Sequence, residues 1–194
     1  MISMGAPVGL TFQIIIETAA AIADHTGLET VTLTAVAAKL GVQKPSLYNH
    51  IDSLAHLKQS LSIFAVRKMQ QRISQAAIGK AKNDAIKAIA REYRTFAHER
   101  PGLYSAIVAT PNRENKDLQQ ALQDLMSVIR TVLNGYNLDE DNTTHALRGL
   151  RSVMHGFLSL EAAGWFIQKA DKEDSYEQMI ATFLYGIEAL KESR

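Results

Sequence analysis

The chain predicts an all-α fold of about nine helices, and three observations carry that reading. Apolar residues recur three and four positions apart along most of the 194 residues, and no stretch alternates with period two. Only four prolines occur, Pro7, Pro45, Pro101 and Pro111, and each suits a helix boundary. No internal repeat breaks the pattern. The composition, 46% hydrophobic and 21% charged, is that of an ordinary globular protein. A chain of this length holds one large or two small domains.

The elements follow in order. The segment TFQIIIETAAAIADHTG is the first helix, with Thr11 as N-cap and Gly27 as stop. Thr32 caps a short second helix whose apolar face is Val36, Ala37 and Leu40. Gly41 closes it, because glycine enters the left-handed region without a Cβ penalty. Pro45 opens a third helix; its ring presets φ, and its missing N–H is one that a first turn leaves unpaired anyway. A long helix runs over 53–78, with Leu54, Leu57, Leu61, Phe64 and Ala65 on one side. The next covers 80–99 and stops before Pro101. PGLYSAIVAT is a short helix closed by Pro111, and TPNRENKD is the clearest loop. Helix 116–133 is broken at 135–137, and two long helices follow, 141–166 and 174–192.

The stretch LTAVAAKLGVQKPSLYNHI places two short helices around one glycine. Leu47 and Ile51 are four apart, so they share a face that packs on Val36, Leu40 and the first helix. Lys44, Ser46, Tyr48 and His50 are left outside. A bracing helix followed by one with a polar face fits a helix-turn-helix that reads the major groove. The same spacing fits an αα-hairpin with a solvated face, so spacing alone leaves both open.

Several classes are excluded. There are no cysteines, which removes disulfides, thiolate zinc sites and cysteine nucleophiles together. No apolar run approaches the ~18–20 residues that span a bilayer, and the start, MISMGAPVGL, lacks the basic region of a signal peptide. A cytoplasmic protein with no membrane partner is expected. The net charge of +1 advertises no acidic partner. The six histidines, at 25, 50, 56, 98, 145 and 155, are scattered. His-Glu-x-x-His, a phosphate-binding glycine loop and Gly-x-Ser-x-Gly are all absent. No cofactor, metal or catalytic residue is expected, which leaves a small all-helical enzyme without a nucleophile.

GLETVTLTAVAAKLGVQKPSLYNHIDSLAHL strongly resembles the N-terminal DNA-binding domain of the TetR family of transcriptional repressors. The matching features are the Ala19-Ala20 pair, Gly27-Leu28-Glu29-x-Val31-Thr32, Val36-Ala37, Leu40-Gly41-Val42 and Leu47-Tyr48-x-His50. They occur in order over residues 10–62. LRGLRSVMHGFLSLEAAGWF, residues 147–166, is similar to the eighth helix of a subgroup with a His-Gly pair followed by Leu-Glu. The resemblance implies an all-helical homodimer with a DNA-binding domain at 1–52 and a ligand-binding and dimerisation domain at 53–194. It implies a repressor that leaves a palindromic double-stranded operator when a small-molecule effector binds.

By the same resemblance, Lys44, Pro45 and Ser46 meet base edges, while Tyr48 and His50 meet phosphates. The chemistry is suitable. Lys44 can donate to guanine O6 or N7, and Pro45 suits a thymine methyl. A Tyr48 phosphate contact sets register and reads no sequence. Thr32 and Thr34 can hold phosphate at the start of the second helix, and Lys58 completes the expected DNA set. The departures are Leu54, where relatives place a lysine, and Phe12 and Thr34, where an arginine is common. No arginine occurs before Arg67. Through Lys58 three lysines (39, 44, 58) face four carboxylates (17, 24, 29, 52). Because phosphate neutralisation supplies most non-specific affinity, the DNA half must use uncharged donors or bind weakly. A helix-turn-helix that has lost DNA binding, on a helical small-molecule-binding protein, is the alternative.

The C-terminal half is expected to do two jobs. Tyr176, Met179, Ile180, Phe183, Leu184, Ile187 and Leu190 form a stripe at helical spacing. Helix eight is apolar over most of its circumference, and Gly156 and Gly164 permit close helix approach at about 1 kcal/mol each. Pairing the last two helices with their symmetry mates covers both. The expected interface is Gly156, Leu160, Gly164, Tyr176, Ile180, Phe183 and Ile187. For the effector, Phe64, Tyr93, Phe96, Tyr104, Met126, Met154 and Phe157 offer an apolar lining, though each also reads as plain core. His155 is the polar candidate through the His-Gly pair. Arg130 and Glu161 are candidate anchors for a charged ligand.

Overall fold

The computed structural model describes residues 9–109 and 114–192, with side chains through residue 189. Pro7, Pro111 and the Leu190 side chain lie outside the described residues. Among those residues the chain is nine α-helices and one 3-10 turn, without a strand. They are α1 (Phe12–Thr26), the 3-10 turn (Leu28–Thr30), α2 (Leu33–Leu40), α3 (Lys44–Leu47), α4 (Leu54–Ala77), α5 (Lys82–Glu99), α6 (Pro101–Val108), α7 (Lys116–Asn134), α8 (Glu140–Ala162) and α9 (Lys172–Glu192). The starts of α1 and α2 are built as the sequence indicates, and α7 and α8 start in the same way. Thr11 and Thr32 accept the Ile14 and Ala35 N–H at 3.2 and 3.0 Å. Asn115 and Asp139 do the same for Leu118 and Asn142, each at 2.7 Å. Such caps contribute about 1 kcal/mol apiece.

The chain divides into two compact units, Met1–Ala65 with Arg100–Pro111, and Val66–Glu99 with Asn112–Arg194. Helix α4 gives its first half to one and its second half to the other. The DNA-binding domain expected at 1–52 lies inside the first unit.

In the first unit α1 packs against α2 and α6, and α2 against α3. Ile15, Ile16, Ala19 and Ala20 of α1 are fully or almost fully buried, as are Val36, Leu47, Ile51, Leu57, Leu61 and Leu103. Contact between α1 and α6 is close enough that a Cβ at Gly102 would run into the Ala23 and Asp24 backbone. Helix α6 has no capping side chain of its own. Asp24 of α1 serves instead, accepting the Leu103 N–H at 3.1 Å and the Arg100 guanidinium at 2.5 Å.

In the second unit α5 packs against α7, α8 and α9. Ile86, Ile89, Tyr93 and Phe96 of α5 are buried, as are Leu125, Ile129, Leu150 and Met154 of α7 and α8. The buried Tyr176 hydroxyl donates to the Ala90 carbonyl at 2.9 Å, and Tyr136 donates to Asn83 at 2.6 Å. Burial, with Glu188 and Asp84 nearby, pushes the Tyr136 phenol up to about 12.

Three expectations need correcting. Helix α8 ends at Ala162, short of Phe166. Gly164 is the left-handed residue beyond that end (φ 75°), where Trp165 donates to the Leu160 carbonyl at 3.0 Å. It stops the helix rather than letting another approach. On α9, Tyr176, Ile180 and Ile187 are 1–2% exposed, buried within their own subunit. The stripe that suggested an interface faces inward because α5 and α8 cover it. Leu54 leaves the apolar side of α4 and is 37% exposed.

Candidate nucleic-acid interface

The α2–α3 connection is built from its glycine. Gly41 sits at φ 67°, ψ 26°, and Val42 donates back to the Ala37 carbonyl at 3.0 Å. This is the glycine-closed helix end that only a residue without a Cβ adopts cheaply. Gln43 then stands at the N-cap of α3, and Pro45 occupies its first turn. The α-helical part of α3 is only four residues, but turn bonds extend it: Tyr48 donates to Pro45 (3.2 Å), and His50 and Ile51 both donate to Leu47 (2.9 Å). Leu47 and Ile51 are fully buried and fix this segment to the unit's core. With those two inside, Lys44, Pro45 and Tyr48 are exposed, Tyr48 to 49%, while Ser46 and His50 are half-buried.

The flanking donors are placed similarly. Thr32 and Thr34 are exposed at the start of α2. The Thr32 oxygen caps Ala35, and the same hydroxyl still has a proton to donate. Lys58 is half-buried one turn into α4. Ser53 accepts the His56 N–H at 3.1 Å at the head of α4. Phe12, 42% exposed, lies with its ring 6.2 Å from that of His56. Within the first unit, among the described residues, folding does not relieve the charge shortage read from the sequence. The arginine that chain order brings into this unit, Arg100, is paired with Asp24. Neither that clasp nor the Phe12–His56 pair was foreseen, the first because its partners are 76 residues apart.

The expected effector residues fall in both units. Phe64 and Tyr104 belong to the first unit. In the second, Tyr93, Phe96 and Met154 are buried core, and Met126 and His155 are half-buried. Phe157 packs between Phe166 and Tyr176, with ring centroids 4.7 and 5.1 Å away. Arg130 pairs with Glu140 at 2.5 Å and reaches Thr144 at 3.4 Å, tying α7 to α8. Glu161 is held by Arg94 at 2.7 Å and His98 at 2.9 Å. Burial alone would raise its carboxyl, but these two hydrogen bonds outweigh burial and hold it below the usual range. A groove of about 160 Å³ between α5 and α9 is lined by Lys87, Ala90, Arg91, Tyr176, Glu177 and Ile180, among others. It shares none of the expected effector residues.

Residues 15–56 match the family described as bacterial regulatory proteins, tetR family. Residues 86–183, half the chain, match the family described as tetracyclin repressor-like, C-terminal domain. The chain belongs to the TetR family. It is similar to two proteins described as HTH-type transcriptional regulators. One is YobS of Bacillus subtilis, 33% identical over 95% of this chain and 96% of YobS. The other is Rv0681 of Mycobacterium tuberculosis, 30% identical over 96% of this chain and 85% of that protein. The fold is shared with a TetR variant from Acinetobacter baumannii AYE solved in complex with minocycline, with a TM-score of 0.70 and 18% identity over 94% of this chain and 98% of that one. This TetR-family protein is therefore a DNA-binding transcriptional regulator and not an enzyme. Among the described residues no helix is long and apolar enough to cross a membrane.

Proposed function

We propose that the protein is a repressor that binds a palindromic operator as a homodimer and leaves it when a small molecule occupies the second unit. The carrying observation is α3. Leu47 and Ile51 anchor it in the core while Lys44, Pro45 and Tyr48 stay in solvent, the arrangement a groove-reading helix requires. Lys44, Pro45 and Ser46 read bases, and Tyr48, His50, Thr32, Thr34 and Lys58 hold the backbone. The minocycline complex of the A. baumannii protein that shares this fold supports a small-molecule effector.

The dimer surface of this reading is the outer face of α8 and α9. Tyr185 is 81% exposed, Leu160 is 47% exposed, and Gly156 and Gly186 leave open space where a side chain would begin. Projecting apolar side chains beside small ones suit a self-complementary contact. Selection of bound sequences from random DNA tests the whole reading. Recovery of an inverted repeat is expected. Failure to enrich any sequence would instead support a helix-turn-helix that no longer binds DNA.

A further inference from the structure

His56 lies in the first turn of α4 with its Nδ1 shared by two groups of one residue. The Asp52 backbone N–H reaches Nδ1 at 3.2 Å, and the Asp52 carboxylate is 3.1 Å from the same nitrogen. The two bonds exclude each other. An unprotonated Nδ1 accepts from the amide; a protonated one has no lone pair there and donates to the carboxylate. The first turns of α1 and α4 contain no acidic residue, and from α1 the ring meets Phe12. Asp52 is the carboxylate paired with this imidazole. The His56 backbone N–H is held separately by Ser53, so the ring can change partners while the cap stays closed.

The position matters because Asp52 directly follows Ile51, the last anchored residue of the α3 segment, and its side chain is 88% exposed. Through Lys58 the chain has more carboxylates than lysines, and an exposed carboxylate beside the reading helix repels phosphate. We propose that Asp52 and His56 form a proton-controlled affinity determinant of the DNA interface. A proton on His56 draws the Asp52 carboxylate into an ion pair and cancels its charge next to α3. The inference rests on α3 being the DNA-reading helix. His56 acts through Asp52 and is a positioning residue.

Histidine changes charge between pH 5 and 8, so operator affinity rises as pH falls through that range. The pair is exposed, and exposed ion pairs are modest, so the expected gain is about 3- to 20-fold per dimer from about pH 8 to about pH 6. His25 and His50 lie in the same unit, so variants must separate their contributions. The experiment is fluorescence anisotropy at constant ionic strength with full-length protein and a labelled duplex recovered from the random-DNA selection. His56→Gln keeps an acceptor oxygen but takes no proton, and should lose most of the pH dependence. Asp52→Asn should bind at high pH nearly as wild type does at low pH. Circular dichroism at each pH checks that the variants stay folded. A wild-type affinity that ignores pH, or a His56→Gln variant with the full wild-type response, overturns this inference while leaving the operator reading intact. Absence of any sequence-selective complex at every pH defeats both.

Discussion

Lys44 and Tyr48 lie on the same short segment and are both exposed, yet they are expected to act differently. Lysine can donate to two guanine acceptors in the major groove. A tyrosine hydroxyl on a phosphate has no base to compare. Lys44→Ala should therefore cost about 1–3 kcal/mol on the best site and relax preference at one base pair per half-site. Tyr48→Phe should weaken all sequences about equally. Competition binding against a panel of single-base variants separates the two. A uniform loss for Lys44→Ala would make that residue a backbone contact. At this scale the sequence was informative where the backbone decides. Gly41, Thr11 and Thr32 perform the roles their types suggest, because caps and left-handed positions depend on a few adjacent atoms. Arg130 was not readable in the same way, since its partners Glu140 and Thr144 are set by how α7 meets α8.

Helices α5 and α8 are joined by one carboxylate with two partners. Glu161, near the end of α8, accepts from Arg94 and His98, which are four residues apart on α5. Its carboxyl is held below the usual range. A lowered carboxyl contributes stability that is fully present above the unfolded value and is lost as pH falls through the folded one. The urea midpoint should therefore drop as pH is lowered below about 4.5, and Glu161→Gln should show a smaller drop over the same window. An equal acid response in the variant would assign that sensitivity to other carboxylates. This contact also shows where element-level reading fell short. The existence, order and type of the helices were legible from apolar spacing, and most ends fell within a few residues. The direction of each face was not. The α9 stripe at 176, 180, 184 and 187 is real, but periodicity cannot distinguish a helix facing its own subunit from one facing a partner. Helix α8 was overextended because LEAAGWF continues apolar past the glycine that ends the helix.

For the whole molecule, two measurements bear on assembly and binding. If the outer face of α8 and α9 joins the subunits, Leu160→Asp with Tyr185→Asp should halve the mass by light scattering while leaving helix content intact. Ile187→Asp should behave differently. That residue is 2% exposed within the subunit, and an unpaired buried charge costs several kcal/mol, so unfolding rather than dissociation is expected. An unchanged dimer mass in the Leu160, Tyr185 double variant would remove this face from the interface. The second measurement is salt dependence. With few cations available to release ions, the slope of log K against log salt should be shallow, roughly −2 to −5 per dimer. Leu54 is exposed at the head of α4, so Leu54→Lys should steepen it by about 1–2 units. A wild-type slope near roughly −8 would mean that phosphate is neutralised by groups outside those named.

Trp165 stands just beyond the end of α8, 71% exposed, and it is the chain's single tryptophan. Indole emission shifts to shorter wavelength when water is replaced by protein around the ring. The molecule therefore carries an intrinsic optical probe whose backbone N–H donates to the carbonyl of Leu160, a residue of the proposed self-association surface. Dilution of unlabelled protein should move the emission to the red as subunits separate, and the midpoint of that change gives their dissociation constant. Quenching by iodide should rise over the same concentrations. The Leu160, Tyr185 double variant should show the water-exposed spectrum at every concentration.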